Sequence, residues 1–242
     1  MTQAPRPIIQ LEGVRKSYGF APVLSDLTLA VARGEFVALL GSNGSGKTTL
    51  LRLIAGLARP SAGVIRVGGW LIPEEVEQVR PHIGMVSHKS LLYPTLTALE
   101  NLAFFARLYG RPSSPTDLLP LLERVGLKRR AHSLVRTFSR GMLQRLSIAR
   151  ALLNDPSVLL FDEPYTGLDQ EASATLDGLL RAAHDEGRTI LMTTHHLERV
   201  PLLAQRVIVL HRGQIALDAP ADMPSAALVA QYVAITGEAA QP

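Results

Sequence analysis

The chain has 242 residues, 47% hydrophobic and 19% charged, with glycine and proline spread along its length; this excludes a disordered or fibrous chain and suits one large α/β unit. The formal charge is +4 and cysteine is absent, which removes disulfide scaffolds, thiolate metal sites and cysteine nucleophiles and leaves any metal to oxygen or nitrogen ligands. No run approaches the roughly 18–20 apolar residues of a membrane helix, and the start MTQAPRPIIQLEGVRKSYG lacks a signal peptide's apolar stretch, so a cytoplasmic protein is expected.

In chain order, the first informative element is the apolar run from Gly34 to Leu40, stopped by Gly41, which reads as a buried parallel strand. A glycine-rich turn follows, then helical spacing from Lys47 to Ala58. The turn, Gly41, Ser42, Asn43, Gly44, Ser45, Gly46, Lys47 and Thr48, matches G-x-x-x-x-G-K-[ST] in full, between a predicted strand and a predicted helix. Glycines let backbone N–H groups approach phosphate oxygens, and the helix N-terminus adds the positive end of its dipole. Lys47 would supply a point charge to the β- and γ-phosphates, Thr48 a hydroxyl for Mg²⁺, and Thr49 completes the candidate nucleotide-binding set.

The middle of the chain is helical. Thr97 with Glu100 forms a capping box for a helix ending at Gly110, Asp117 to Val125 reads as a second helix closed by Gly126, and Ser139 caps a third running to about Leu153. Residues 88–150 are therefore expected as a helical lobe inserted between core segments 1–87 and 151–220, with an uninformative alanine-rich tail at 221–242. Between Leu121 and Arg150 eight basic residues face the single acid Glu123, a pattern that either solvated helix faces or contact with an anionic lipid surface or phosphate would explain.

The strand Ser157–Phe161 ends at Asp162 and Glu163, followed by Pro164. Acids at a strand's carboxyl end lie where open α/β sheets bind ligands. Asp162 would hold Mg²⁺; because neighbouring strand side chains point to opposite sides, Glu163 is expected in a different role, polarising a water for attack on the γ-phosphate. Thr189–Thr193 and Arg206–Leu210 read as further strands, completing a parallel sheet.

With both sites placed, the chain resembles the ATP-binding subunits of ABC transporters from about Ile9 to Pro220. The segment Phe138 to Arg145 occupies the place of that family's LSGGQ signature, matching at Ser139 and Gly141 and departing at Phe138, Arg140 and Met142. The resemblance implies a P-loop NTPase with a RecA-like parallel core and an inserted helical subdomain, using ATP and Mg²⁺. It also implies a head-to-tail homodimer, or a dimer with a paralogous ATPase, in which Ser139, Arg140 and Gly141 close over the partner's ATP. An integral-membrane permease would dock on the helical lobe, leaving the protein peripheral on the inner face of the cell membrane. Residue by residue, Tyr18 would stack on adenine, Asp169 lies in the segment resembling the D-loop, and His195 resembles the switch histidine, with His196 at the surface.

His88 stands where the family has a glutamine that reaches Mg²⁺ and the attacking water, so it joins Glu163 and His195 as a candidate catalytic residue. Arg140 places a guanidinium where the family has glycine, near the partner's phosphates. His88 with LTALENLAFFARLYG looks similar to the heme exporter ATPases of cytochrome c maturation, although exporters of drugs, lipids or polysaccharides share the other features. A nucleic-acid partner is not expected, since the chain has neither a cysteine-rich insert, nor long coiled coils, nor a second P-loop. A small-molecule kinase would not need the FSRGM segment.

Overall fold

A computed structural model describes residues 7–87 and 89–238; His88 lies outside the described residues. The chain opens with a long hairpin, β1 (Ile9–Tyr18) and β2 (Ala21–Val31), then β3 (Phe36–Leu40) and α1 (Lys47–Ile54). Strands β4 (Ala62–Val67) and β5 (Trp70–Ile72), the short α2 (Val76–Val79) and β6 (Ile83–Val86) come next. Three helices follow, α3 (Ala98–Leu108), α4 (Pro115–Arg124) and α5 (Arg140–Leu152). The remainder is β7 (Val158–Asp162), α6 (Gln170–Asp185), β8 (Thr189–Thr193), α7 (Val200–Leu203), β9 (Arg206–His211), β10 (Gln214–Pro220) and α8 (Ser225–Thr236).

These strands form two sheets. The larger has the order β10-β9-β3-β8-β7-β6, parallel except for β10, which pairs antiparallel with β9 at one edge. β3, β7 and β8 are buried at every residue, as strands covered on both faces must be. Their side chains alternate between two cores: Phe36, Ala38, Leu40, Phe161 and Met192 pack with α5, α6 and α8, whereas Val37, Leu39, Leu160 and Leu191 pack with α1 and the second sheet.

That second sheet, β2-β1-β4-β5, is antiparallel and has no counterpart in the sequence expectations. On β1 only Ile9, Leu11 and Val14 are fully buried, so the strand is half wet and shows no continuous apolar run.

The helices follow their capping chemistry. In α3 the Glu100 N–H donates to Thr97 Oγ1 at 3.2 Å and the Thr97 N–H to Glu100 Oε2 at 2.8 Å, the expected reciprocal box. α1 stops short of Ala58 because Gly56 takes φ +66° and the Leu57 N–H donates to the Arg52 carbonyl at 2.8 Å, a glycine-terminated helix end. The tail is not featureless: α8 docks on the larger core through buried Leu228 and Tyr232, one helical turn apart.

Candidate functional site

At the carboxyl end of β3 the chain turns through Gly41–Gly46 into α1. The turn is wedged between neighbours. A side chain on Gly41 (φ +146°) would collide with the Leu210 carbonyl and come within 2.7 Å of Ser45 Oγ; one on Gly46 (φ +107°) would meet Leu24 at 2.6 Å. Only glycine fits both the dihedral and the space. Lys47 folds back over the turn, Nζ donating to the Gly41 carbonyl at 2.6 Å and the Ser42 carbonyl at 3.1 Å. Burial pulls its ammonium below the usual lysine range, against the opposing pull of the Glu163, Asp162 and Glu238 carboxylates. Ser45 Oγ is buried without a hydrogen-bond partner among the described residues. The turn, Val23, Thr49 and Glu163 enclose a cleft of about 370 Å³.

The two acids reach the turn by different routes, Glu163 lining the cleft and Asp162 lying behind it against Thr48. Asp162, the last residue of β7, is buried and accepts from Thr48 Oγ1 at 2.9 Å and from Thr193 Oγ1 at 3.0 Å. Glu163 has left the strand: its φ is +51° and its N–H donates to Thr193 Oγ1 at 2.8 Å. Strand alternation therefore does not set its direction, and the expectation based on it is replaced by a strained turn costing on the order of 1–3 kcal/mol. The Glu163 carboxylate ends with Oε2 2.8 Å from His195 Nδ1 and Oε1 4.0 Å from Lys47 Nζ. Thr48 and Asp162 form an adjacent pair of hard oxygens that fits Mg²⁺. No group of three or more His, Cys, Asp or Glu among the described residues could hold a metal by itself, so phosphate oxygens and water would complete the coordination, which Mg²⁺ tolerates well.

Other predicted residues fall into separate groups. Tyr18 ends β1 opposite Ala21, half exposed, with Lys16 Nζ 4.7 Å above its ring; Val23, farther along the same hairpin, is what touches the cleft. Ser139 caps α5, accepting from the Met142 N–H at 3.3 Å, and Asp169 caps α6, accepting from Ala172 at 2.7 Å. The two caps are packed together: Arg140 lies against Gly167, where an added Cβ would meet its Nε at 2.7 Å, and Gly141 abuts Ala172. Neither Ser139, Arg140 nor Gly141 lines the cleft around this chain's own Lys47. His196, expected at the surface, is mostly covered, its ring 4.4 Å from that of His195.

A cluster that sequence reasoning missed supports this face of the site. Tyr165 Oη donates to Asp177 Oδ1 at 2.6 Å, Arg199 donates to Asp177 Oδ2 at 2.6 Å, and the guanidinium sits 4.9 Å from the Tyr165 ring centre. Burial, reinforced by the Asp177 hydrogen bond and charge, pushes the Tyr165 phenol far above its ordinary value. The cluster ties the turn after Glu163 to α6 and to the segment after His195. A signal existed: Asp177 falls on the buried stripe Ser173, Leu176, Leu180 of α6, where an acid needs a partner. Asp177→Ala, which orphans both a buried phenol and a guanidinium, is expected to cost about 3–5 kcal/mol, read as a lowered urea midpoint at unchanged slope; an unaltered midpoint would remove the cluster from its supporting role.

Comparison with known proteins identifies the family to which this fold belongs. The family model described as "ABC transporter" matches residues 24–166. The chain is 40% identical over 236 residues to Nod factor export ATP-binding protein I of Paraburkholderia xenovorans (strain LB400), covering 96% of this chain and 78% of that one. It is 35% identical to linearmycin resistance ATP-binding protein LnrL of Bacillus subtilis (strain 168), covering 90% and 71%. Neither relative is named for heme export. Among solved structures, the dimeric ATP-binding cassette MJ0796 in a post-hydrolysis state with ADP and Pi superposes with a TM-score of 0.80 at 29% identity, covering 88% of this chain and 98% of that one. The family model spans more than half of the chain, and relatives at 35–40% identity cover most of it, so the chain belongs to the ABC transporter family as an ATP-binding subunit.

Proposed function

We propose that this subunit hydrolyses Mg-ATP to power export through a separate integral-membrane permease. The observation that carries the reading is the placement of Glu163 between Lys47 and His195, beside the Thr48–Asp162 oxygen pair. Lys47 and the turn's N–H groups bind the phosphates, and Thr48 and Asp162 would hold Mg²⁺, which would supply charge neutralisation to the phosphates. Glu163 takes the proton of the attacking water, while His195 orients the Glu163 carboxylate and reaches the γ-phosphate. Tyr18 supplies the adenine platform, and Asp169 holds the D-loop.

Since Ser139, Arg140 and Gly141 do not reach this chain's own cleft, they serve the nucleotide of a second cassette in a head-to-tail dimer; the dimeric MJ0796 cassette supports that arrangement. The permease docks in a groove of about 1120 Å³ between the sheet and the helical region, lined by exposed or part-buried Leu57, Leu91, Leu92, Tyr93 and Tyr109, a helix-in-groove contact. The helical lobe, residues 88–150, moves as ATP closes the dimer and carries the permease with it. Among the described residues no helix is long and apolar enough to cross a membrane, so the protein is held at the inner face of the membrane by that partner. Export of a small molecule is the reading the Nod factor and linearmycin-resistance relatives favour.

Tagged protein solubilised from membranes is expected to co-purify with one integral-membrane protein that stimulates its ATPase activity. Purification without such a protein, or with one that leaves hydrolysis unchanged, would overturn the transport assignment.

A further inference from the structure

On the open side of Lys47 a second cavity, of about 470 Å³, is lined by Ser42, Asn43, Lys47, Glu163 and His195 and closed by Tyr232 and Glu238 from the far end of the chain. The closure is built rather than incidental. Leu228 and Tyr232 anchor α8 in the larger core, and Gly237, at φ +71°, ends the helix and turns the backbone toward the site. Thr236 Oγ1 donates to the Tyr232 carbonyl at 2.8 Å and accepts from the Glu238 N–H at 3.2 Å, fixing where Glu238 emerges.

The electrostatics agree with that placement. Glu238 acts on Lys47 together with Glu163 and Asp162. The Tyr232 phenol is pushed up first by burial and then by the Glu238 charge, with Glu163 adding to it.

We propose that α8, Gly237 and Glu238 form a nucleotide-sensing strap, in which the Glu238 carboxylate lies at the approach to Lys47 and is displaced by the terminal phosphate of ATP. The strap rests on the ATPase reading above, and its driving force is charge. The site gathers the charges of Asp162, Glu163 and Glu238 around one buried ammonium, and a triphosphate that binds there takes over that ammonium. Glu238 then faces phosphate and Glu163 as a like charge, which disfavours its bound position. Only the Gly237 hinge need rotate, because α8 stays anchored.

The test compares Mg-ATP and Mg-ADP binding by calorimetry in the full chain for wild type, Glu238→Gln, Thr236→Val and, as a control of equal net charge, the exposed Glu74→Gln. Glu238→Gln is expected to tighten Mg-ATP binding about fivefold and Mg-ADP binding less than twofold; Thr236→Val, which frees the tether without touching a charge, shifts both in the same direction by a smaller amount; Glu74→Gln changes neither. Equal ATP affinity for Glu238→Gln and wild type, or an equal shift for ATP and ADP, would overturn the strap while leaving the ATPase reading standing. Absence of Mg-ATP binding by wild type would instead overturn the ATPase reading on which the strap depends.

Discussion

Glu163→Gln is expected to bind Mg-ATP and yet lose about 10²–10⁴ of turnover, the range a positioned general base contributes. The substitution is nearly isosteric, so the contact with His195 Nδ1 at 2.8 Å can persist through the amide oxygen, and the φ of +51° at this position is no worse for glutamine than for glutamate. What disappears is the ability to accept a proton and one negative charge beside the phosphates. Both losses favour the same outcome: ATP is held, the closed dimer accumulates, and phosphate release stops. Light scattering with and without ATP should show a nucleotide-dependent dimer in the variant, and a phosphate-release assay should show near-background rates. Hydrolysis at the wild-type rate would remove Glu163 from the role of base.

Lys47→Ala should weaken Mg-ATP binding about 10- to 100-fold, as expected when a charge-assisted hydrogen bond of roughly 1.5–3 kcal/mol is lost. The ammonium is the positive side chain in direct contact with the turn, and it also satisfies the Gly41 and Ser42 carbonyls. Truncation leaves those carbonyls to water in the open cleft, so the thermal midpoint should fall by only a few degrees. Titration with a fluorescent nucleotide, alongside a melting curve to confirm folding, distinguishes lost affinity from lost structure. Wild-type affinity in a folded variant would contradict the phosphate cradle.

The shape of the glycine turn is legible in the sequence alone because its determinants are contiguous. Gly41 through Thr48 lie within eight successive positions, and the glycine dihedrals, the fold-back of Lys47 and the start of α1 are properties of neighbouring peptide units. The same holds for the reciprocal Thr97–Glu100 cap, and for the buried strands β3, β7 and β8, whose short apolar runs reflect burial on both faces. Family resemblance then supplied roles for residues such as Ser139 and Asp169, which by themselves read as helix caps.

What the sequence could not determine depends on partners distant along the chain. The antiparallel sheet is invisible in a half-wet strand until β2 and β4 lie beside β1. The left-handed turn at Glu163 is held through Thr193, thirty residues on, and it overrides the alternation that an isolated strand would impose. Tyr165, Asp177 and Arg199 become one cluster only when the middle of α6 packs against the turn that precedes it and the segment that follows β8. The tail acquires meaning in the same way: an alanine-rich helix carries no motif, yet burial of Leu228 and Tyr232 brings Glu238 to a lysine 191 positions earlier in the sequence. Local backbone chemistry is written in successive residues; which distant side chains share a cleft is decided by burial of apolar faces, which acts without regard to separation along the chain.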